Sequence, residues 1–292
     1  MKLHYRTVFI SDVHLGSRSC RARDLASFLK RIKCDRLYLV GDILDLWRLR
    51  QRWYWPAEHN DVIRQILRLA KKGAVVKLVP GNHDEAARQY FGLQFGGVRV
   101  VRHAVHETAD GRRLLVTHGD QFDLIVTRAK LLSILGSWAY DWLVVGNVVA
   151  NWVGARLGMH YVSLSQKIKL KVKSACTFIG AFEDTLSKEA RRQGLDGVVC
   201  GHIHKAEARR NDVGLYYNCG DWVESCTALV EHDDGTMQVI DGIAFVEQLR
   251  EQKRAMQEAL HEAEAGEWGP INSPAGQSPS ALRPTLACPS AP

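Results

Sequence analysis

Leu78-Val79-Pro80-Gly81-Asn82-His83-Asp84 closes an apolar run with residues that core packing would not select. Gly81 frees the backbone to turn sharply at a strand end, Asn82 offers an amide oxygen to a hard cation, and His83 offers a titratable imidazole. Four other segments follow the same plan, an apolar strand ending in ligand-type side chains. Residues 7–11 run into Asp12-Val13-His14, and residues 36–40 into Gly41-Asp42. Residues 114–117 run into His118-Gly119-Asp120, and residues 197–200 into Gly201-His202-Ile203-His204.

Working outward, apolar stripes of helical period lie between the first three strands, at 23–32 (Leu25, Phe28, Leu29, Ile32) and about 60–72. Strand, helix, strand, helix, strand predicts parallel pairing through right-handed crossovers, which brings those strand ends to one edge, where open α/β sheets build their sites. Further strands are expected at 98–101 and 104–107, with a turn at Asp110-Gly111. Residues 215–218, 225–231 and 236–240 are expected to form an antiparallel meander, with Asp233-Asp234-Gly235 as its hairpin signal. The strand plan assigns 1–120 and 195–245 to the core and leaves 121–194 as an insertion. In that insertion, 131–157 is apolar and carries Trp138, Trp142 and Trp152. Its second part, 165–192, reads as one long helix on the stripe Ile168, Val172, Ala175, Ile179, Phe182 and Leu186. A polar helix at 246–264 follows the core, then a tail at 265–292 that holds six of the eight prolines and is expected to be disordered.

With 46% apolar and 24% charged residues over 292 positions, the composition is globular rather than fibrous or disordered. A net charge of +7 suits an anionic partner, such as a phosphorylated substrate, nucleic acid or an anionic membrane surface. The seven cysteines are scattered without a CxxC pair, which fits a reducing, cytosolic compartment. Met1 to Arg6 lead directly into a strand, without the pattern of a signal peptide. Residues 131–157 are long enough to cross a bilayer, but Asp141, Asn147 and Asn151 interrupt them, and one crossing would part His118 from His202. Lys167, Lys169, Lys171 and Lys173 follow Arg156 with no acidic residue between 156 and 173. An apolar patch bordered by cations suits an anionic lipid surface, and its apolar content argues for acyl chains over stacked bases.

The strand-end residues suggest one chemistry. In extended chain, residues i and i+2 point the same way, so Asp12 and His14 can grip one ion, as can His202 and His204, although the turn at their strand end could instead send them to different ions. Asp42, alone at its strand tip, can bridge two ions through its two oxygens. Oxygen and nitrogen donors without thiolate suit Mn²⁺, Fe²⁺ or Zn²⁺. Two such ions ~3.5–4 Å apart activate a bridging water and stabilise a transferring phosphoryl group. His83, next to Asn82, would then face the phosphoryl oxygens or protonate the leaving group. Asp84, Asp120 and Asp221 are expected as turn residues or as partners that orient ligands. Arg48, Arg50 and Arg52, in the basic and aromatic stretch after Trp47, could meet a diphosphate, as could Lys167 and Lys171.

DxH, GD, GNHD, HGD and GHxH in this order, spanning Asp12 to His204, resemble the calcineurin-like, binuclear metallophosphoesterase family. The resemblance implies an α/β fold, a four-layer αββα sandwich with a helical lid insertion. It also implies one metal held by Asp12, His14, Asp42 and His204 and another by Asp42, Asn82, His118 and His202, with His83 catalytic. Within that family, FISDVHLG, GDILDLW and the insertion are similar to the UDP-2,3-diacylglucosamine diphosphatases of lipid A synthesis. That group implies Mn²⁺, a lid over acyl chains, a lipid-linked sugar nucleotide as substrate, no nucleic acid, and peripheral attachment to the cytoplasmic face of the inner membrane. Its members have GNRD where this chain has GNHD, so His83 also keeps open another phosphodiester or nucleotide pyrophosphate as substrate. A metal-free scaffold on the same fold is the non-enzymatic alternative.

Overall fold

A computed structural model describes residues 2–122 and 165–267, with the backbone alone for 165–178 and 259–267. The apolar stretch 131–157 with Trp138, Trp142 and Trp152, and the tail from 268, lie outside the described residues. Met1–Leu249 forms one compact unit; Arg250–Pro292 forms a second, helical in its described part.

The first three strands are β1 (Leu3–Ile10), β2 (Ile32–Val40) and β3 (Val75–Val79), joined by the helices α1 (Ala22–Arg31) and α3 (Ala57–Lys71). A short helix, α2 (Leu46–Gln51), sits between β2 and α3. The strands pair in parallel as expected, with Ile10 opposite Leu39 and Val40 opposite Val79, so the loops that follow them emerge together. Helix α1 buries Leu25, Phe28 and Leu29, and α3 buries Val62, Ile66 and Leu69, against one face of this sheet. That is what an apolar stripe of helical period requires.

Strands β4 (Gln94–Phe95), β5 (Val98–Val100), β11 (Thr227–Glu231) and β12 (Met237–Asp241) complete a sheet in the order β12-β11-β1-β2-β3-β5-β4. A second sheet holds β6 (Ala104–Glu107), β7 (Arg113–Val116), β8 (Gly197–Cys200), β9 (Glu207–Arg210) and β10 (Leu215–Asn218) in the order β6-β7-β8-β10-β9. Phe9, Tyr38, Val40 and Val79 of the first sheet meet Leu114, Val116, Val199 and Tyr217 of the second in a shared core. The long helix α4 (Ser165–Arg192), with the bounds its periodicity predicts, covers the outer face of the second sheet through Phe182, Leu186 and Ala190. Helix α5 (Gly242–Glu267) follows β12. Helix, sheet, sheet and helix make the expected four layers.

One expectation fails. Residues 215–218 do not join 225–240 in a meander: β10 pairs in parallel with β8 in the second sheet, while β11 and β12 form a hairpin in the first. Tyr216 and Tyr217 explain the difference, because Tyr216 packs under α4 and Tyr217 enters the inter-sheet core, which buries both faces of β10. The connector 219–226 carries the chain from one sheet to the other. The hairpin signal itself holds, with Gly235 at φ +86° and the His232 amide donating to the Thr236 carbonyl. The edge strands β4 and β9 are polar or exposed and have no apolar pattern from which to be read.

Candidate metal centre

Beyond their last ladder pairs, the five loops are stitched to one another through the backbone. The Asp12 amide donates to the Gly41 carbonyl (3.0 Å), the Val13 and His14 amides to that of Asp42 (3.0 and 2.9 Å), and the Gly201 amide to that of His118 (3.2 Å). Six described residues other than glycine have a positive φ, and five are Asp12, His14, Asp42, His202 and His204. Left-handed backbone at β-carbon-bearing residues is costly and persists where the surroundings enforce it, which concentrates it at functional sites. Glycine provides the space for the close approach. A Cβ on Gly81 would fall 2.2 Å from Asp42 Oδ1, and one on Gly41, at φ +80°, 2.2 Å from His118 Nδ1.

Three groups of possible donors result among the described residues; one of them, His14, Asp45 and His83, shares His14 with the first of the two described next. Asp12, His14 and His204 offer ligand atoms within 4.8 Å of one another, and so do Asp42, His118 and His202. Asp42 Oδ2 lies between the sets, 3.9 Å from His14 Nε2 and 3.5 Å from His118 Nε2. His204 Nε2 is 3.3 Å from Asp12 Oδ1, and the His118 and His202 rings meet edge-on with centroids 5.1 Å apart. Asp12 Oδ1, His14 Nε2, Asn82 Oδ1 and His118 Nε2 are buried without a hydrogen-bond partner. Orphaned buried polar atoms are expensive. Four of them in one cluster, all oxygen or imidazole nitrogen, fit divalent cations of the Mn²⁺, Fe²⁺ or Zn²⁺ type.

The electrostatics agree. His118 Nδ1 donates to the Val40 carbonyl at 2.9 Å, which leaves Nε2 as the ligand atom. Burial would lower the His118 pKa, but Asp42 and Asp12 outweigh it and push the ring up to about 10, the mark of a strongly anionic surrounding. Burial would likewise raise the Asp42 carboxyl, yet His118 and the His83 amide hold it well below the carboxylate range. Asp84 is the opposite case: burial, reinforced by Asp42, lifts it to about 6. Its carboxylate accepts from the Gly81 amide (2.6 Å) and the Ile43 amide (2.9 Å) and braces the GNHD turn.

His83 stands beside these sets. Its Nδ1 is 3.1 Å from Asp45 Oδ1, its Nε2 is 4.0 Å from Asp42 Oδ2, and its ring lies 4.2 Å from that of Trp47 at 35°. Neither Asp45 nor Trp47 was assigned to the site from sequence, although Asp45 is 1% exposed and its other oxygen is 3.4 Å from His14 Nδ1. The signal was there in GDILD, a second carboxylate three residues after Asp42. Asp45 also caps α2, accepting from the Arg48 amide at 3.0 Å.

The remaining candidates divide. Arg48 reaches the edge of the site, 3.4 Å from Asp45 Oδ2, whereas Arg50 and Arg52 are simply exposed. Lys167 and Lys171 lie on α4 where side chains are not described. Asp120 pairs with Arg88, and Asp221 accepts from the amides of Val223 and Glu224 while lying 4.0 Å from His204 Nδ1.

Comparison with known proteins adds to this geometry. The calcineurin-like phosphoesterase profile matches residues 5–206. UDP-2,3-diacylglucosamine hydrolase of Neisseria meningitidis serogroup B is 25% identical over 256 residues, covering 82% of this chain and 96% of that one. The enzyme of the same name from Histophilus somni is 22% identical, over 77% of this chain and 95% of its own, and that of Vibrio cholerae 24% identical, over 77% and 93%.

Proposed function

The chain belongs to the calcineurin-like phosphoesterase family, a metal-dependent hydrolase family, and from that premise we propose that it cleaves the diphosphate of UDP-2,3-diacylglucosamine to 2,3-diacylglucosamine 1-phosphate and UMP. The observation that carries the hydrolytic reading is the cluster of four partnerless buried donors around Asp42. Relatives matched over nearly their full length, all bearing one enzyme name, support the substrate.

In this proposal Asp12, His14, Asp42 and His204 hold one divalent ion, and Asp42, Asn82, His118 and His202 hold the second, with Mn²⁺ as the cellular metal. Ions held there would acidify water and offset charge on the phosphoryl oxygens. Asp42 carries both sites at once, and the His118 Nδ1 bond to Val40 keeps that ring turned toward it. Asp45 holds His83 by Nδ1 and leaves Nε2 toward the substrate, where it delivers a proton to the leaving oxygen as the P–O bond breaks. Trp47 limits the ring's rotation. Arg48 meets the diphosphate at the mouth of the site. Residues 121–194, with Lys167 and Lys171, form a lid over the acyl chains, and the protein works peripherally on the cytoplasmic face of an anionic membrane. No described helix is long and apolar enough to cross one.

Imidazole at His83, where the resembled diphosphatases carry Arg, favours a second reading, hydrolysis of another phosphodiester or nucleotide. Purified protein with Mn²⁺ and UDP-2,3-diacylglucosamine is expected to release UMP and to stop on chelation. Turnover of bis-p-nitrophenyl phosphate without any release of UMP would discard the proposed substrate and keep the chemistry.

A further inference from the structure

One side chain of α4 reaches the ligand loops from outside. Phe182 is fully buried, and its ring centroid lies 5.9 Å from that of His202, with the planes 37° apart. Gly119, next to His118, is also shaped around it: a Cβ there would fall 2.6 Å from Phe182 Cζ. Phe182, His202 and His118 therefore form a continuous row of rings from the helix into the second donor set. The next residue, Glu183, is 3% exposed; it pairs with Arg209 and lies 3.8 Å from Nζ of Lys205, the residue after His204. Helix α4 thus grips the GHxH loop at two points.

We infer that Phe182 is a positioning residue that holds His202, and through it the Asp42–His118–His202 set, in ligating geometry. His202 sits at φ +72°, a conformation that its surroundings must enforce. The His202 amide is tied to Asp12 Oδ2 at 2.9 Å, and Phe182 adds an apolar wall beside the ring itself. A metal-ligating imidazole depends on its neighbours for its orientation, and the apolar shell around a site controls its solvent access and dielectric.

The inference rests on the two-ion assignment, and calorimetric titration of the metal-stripped full chain with Mn²⁺ separates the two. Wild type is expected to bind two ions. Phe182→Ala is expected to weaken one of them by about 10-fold or more while leaving the other unchanged. Phe182→Leu, which keeps most of the volume but lacks the flat ring, should lose less; it provides the result if the alanine variant does not fold. Leu186→Ala, one turn along and equally buried, should lower the melting temperature with both affinities unchanged. Equal affinities in wild type and both Phe182 variants would overturn the inference, as would a loss in Leu186→Ala equal to that in Phe182→Ala. A wild type that binds no Mn²⁺ would instead bring down the metal assignment beneath it.

Discussion

Two buried clusters of imidazole and carboxylate lie in this molecule, and their difference is instructive. Between the sheets, His106 Nε2 meets Glu231 Oε2 at 2.8 Å, its Nδ1 lies 3.5 Å from the Tyr38 hydroxyl, and Glu231 Oε1 accepts from the Ala109 amide at 2.8 Å and from Arg6. Both side chains are fully buried, on ordinary strands β6 and β11. At the loop edge, five imidazole and carboxylate residues sit on left-handed backbone, and Asp12 Oδ1, His14 Nε2 and His118 Nε2, with the amide Asn82 Oδ1, have no partner. The first cluster satisfies itself and ties one sheet to the other. The second is complete only when an outside charge enters, which is what separates a binding centre from a structural network.

Substitutions can break that contrast. Asp42→Ala should reduce turnover at least about 10³-fold, with far-UV circular dichroism unchanged, because it removes the carboxylate shared by both sets. A variant that keeps near-normal turnover would deny Asp42 the bridging role. Glu231→Ala should do the reverse. It leaves buried His106 without its carboxylate and Arg6 with only the Glu107 carbonyl, and costs about 3 kcal/mol in urea unfolding, while the folded fraction keeps its activity.

Acid should separate the two clusters as well. Burial would raise the Glu231 carboxyl, but His106 and the Ala109 amide outweigh it and hold it at about 2, below its ordinary 4.5. A depressed folded pKa contributes stability above the unfolded value, and that contribution disappears as pH falls from about 4.5 toward about 2. Wild type should therefore lose melting temperature more steeply than Glu231→Gln across that window. Parallel slopes would mean that the carboxylate contributes nothing there. The smallest effect should come from Asp45→Ala, at the boundary between ligand and support: kcat falls about 10-fold, since His83 loses the acceptor that orients it, while bound Mn²⁺ is unchanged. Loss of metal in that variant would make Asp45 part of the ligand cage.

Much of the site was legible in the chain. Asp12, His14, Asp42, Asn82, His118, His202 and His204 could be picked out because each directly follows a short apolar strand, and strand ends are local features. The structure groups six of them, Asp12, His14 and His204 in one set and Asp42, His118 and His202 in another, while Asn82 Oδ1 is buried without a partner. His106 could not be told from these by type, since an isolated histidine within a strand carries no local mark of its partners. Asp45, Trp47 and Phe182 were missed for a similar reason. Asp45 and Trp47 stood only within GDILDLW, Phe182 in the apolar stripe of a helix, and only folding sets them against His83 and His202.

By itself, then, the sequence determined the family, the order of strands and helices in its first half, the bounds of α4 and the candidate donors, all of which depend on neighbours a few residues apart. Tertiary structure alone decided that β10 joins the second sheet, that Glu231 faces His106 across 125 positions of chain, and which imidazoles end with partners and which without. Those outcomes depend on which surfaces remain to be buried once the sheets pack, a long-range competition that no local pattern records.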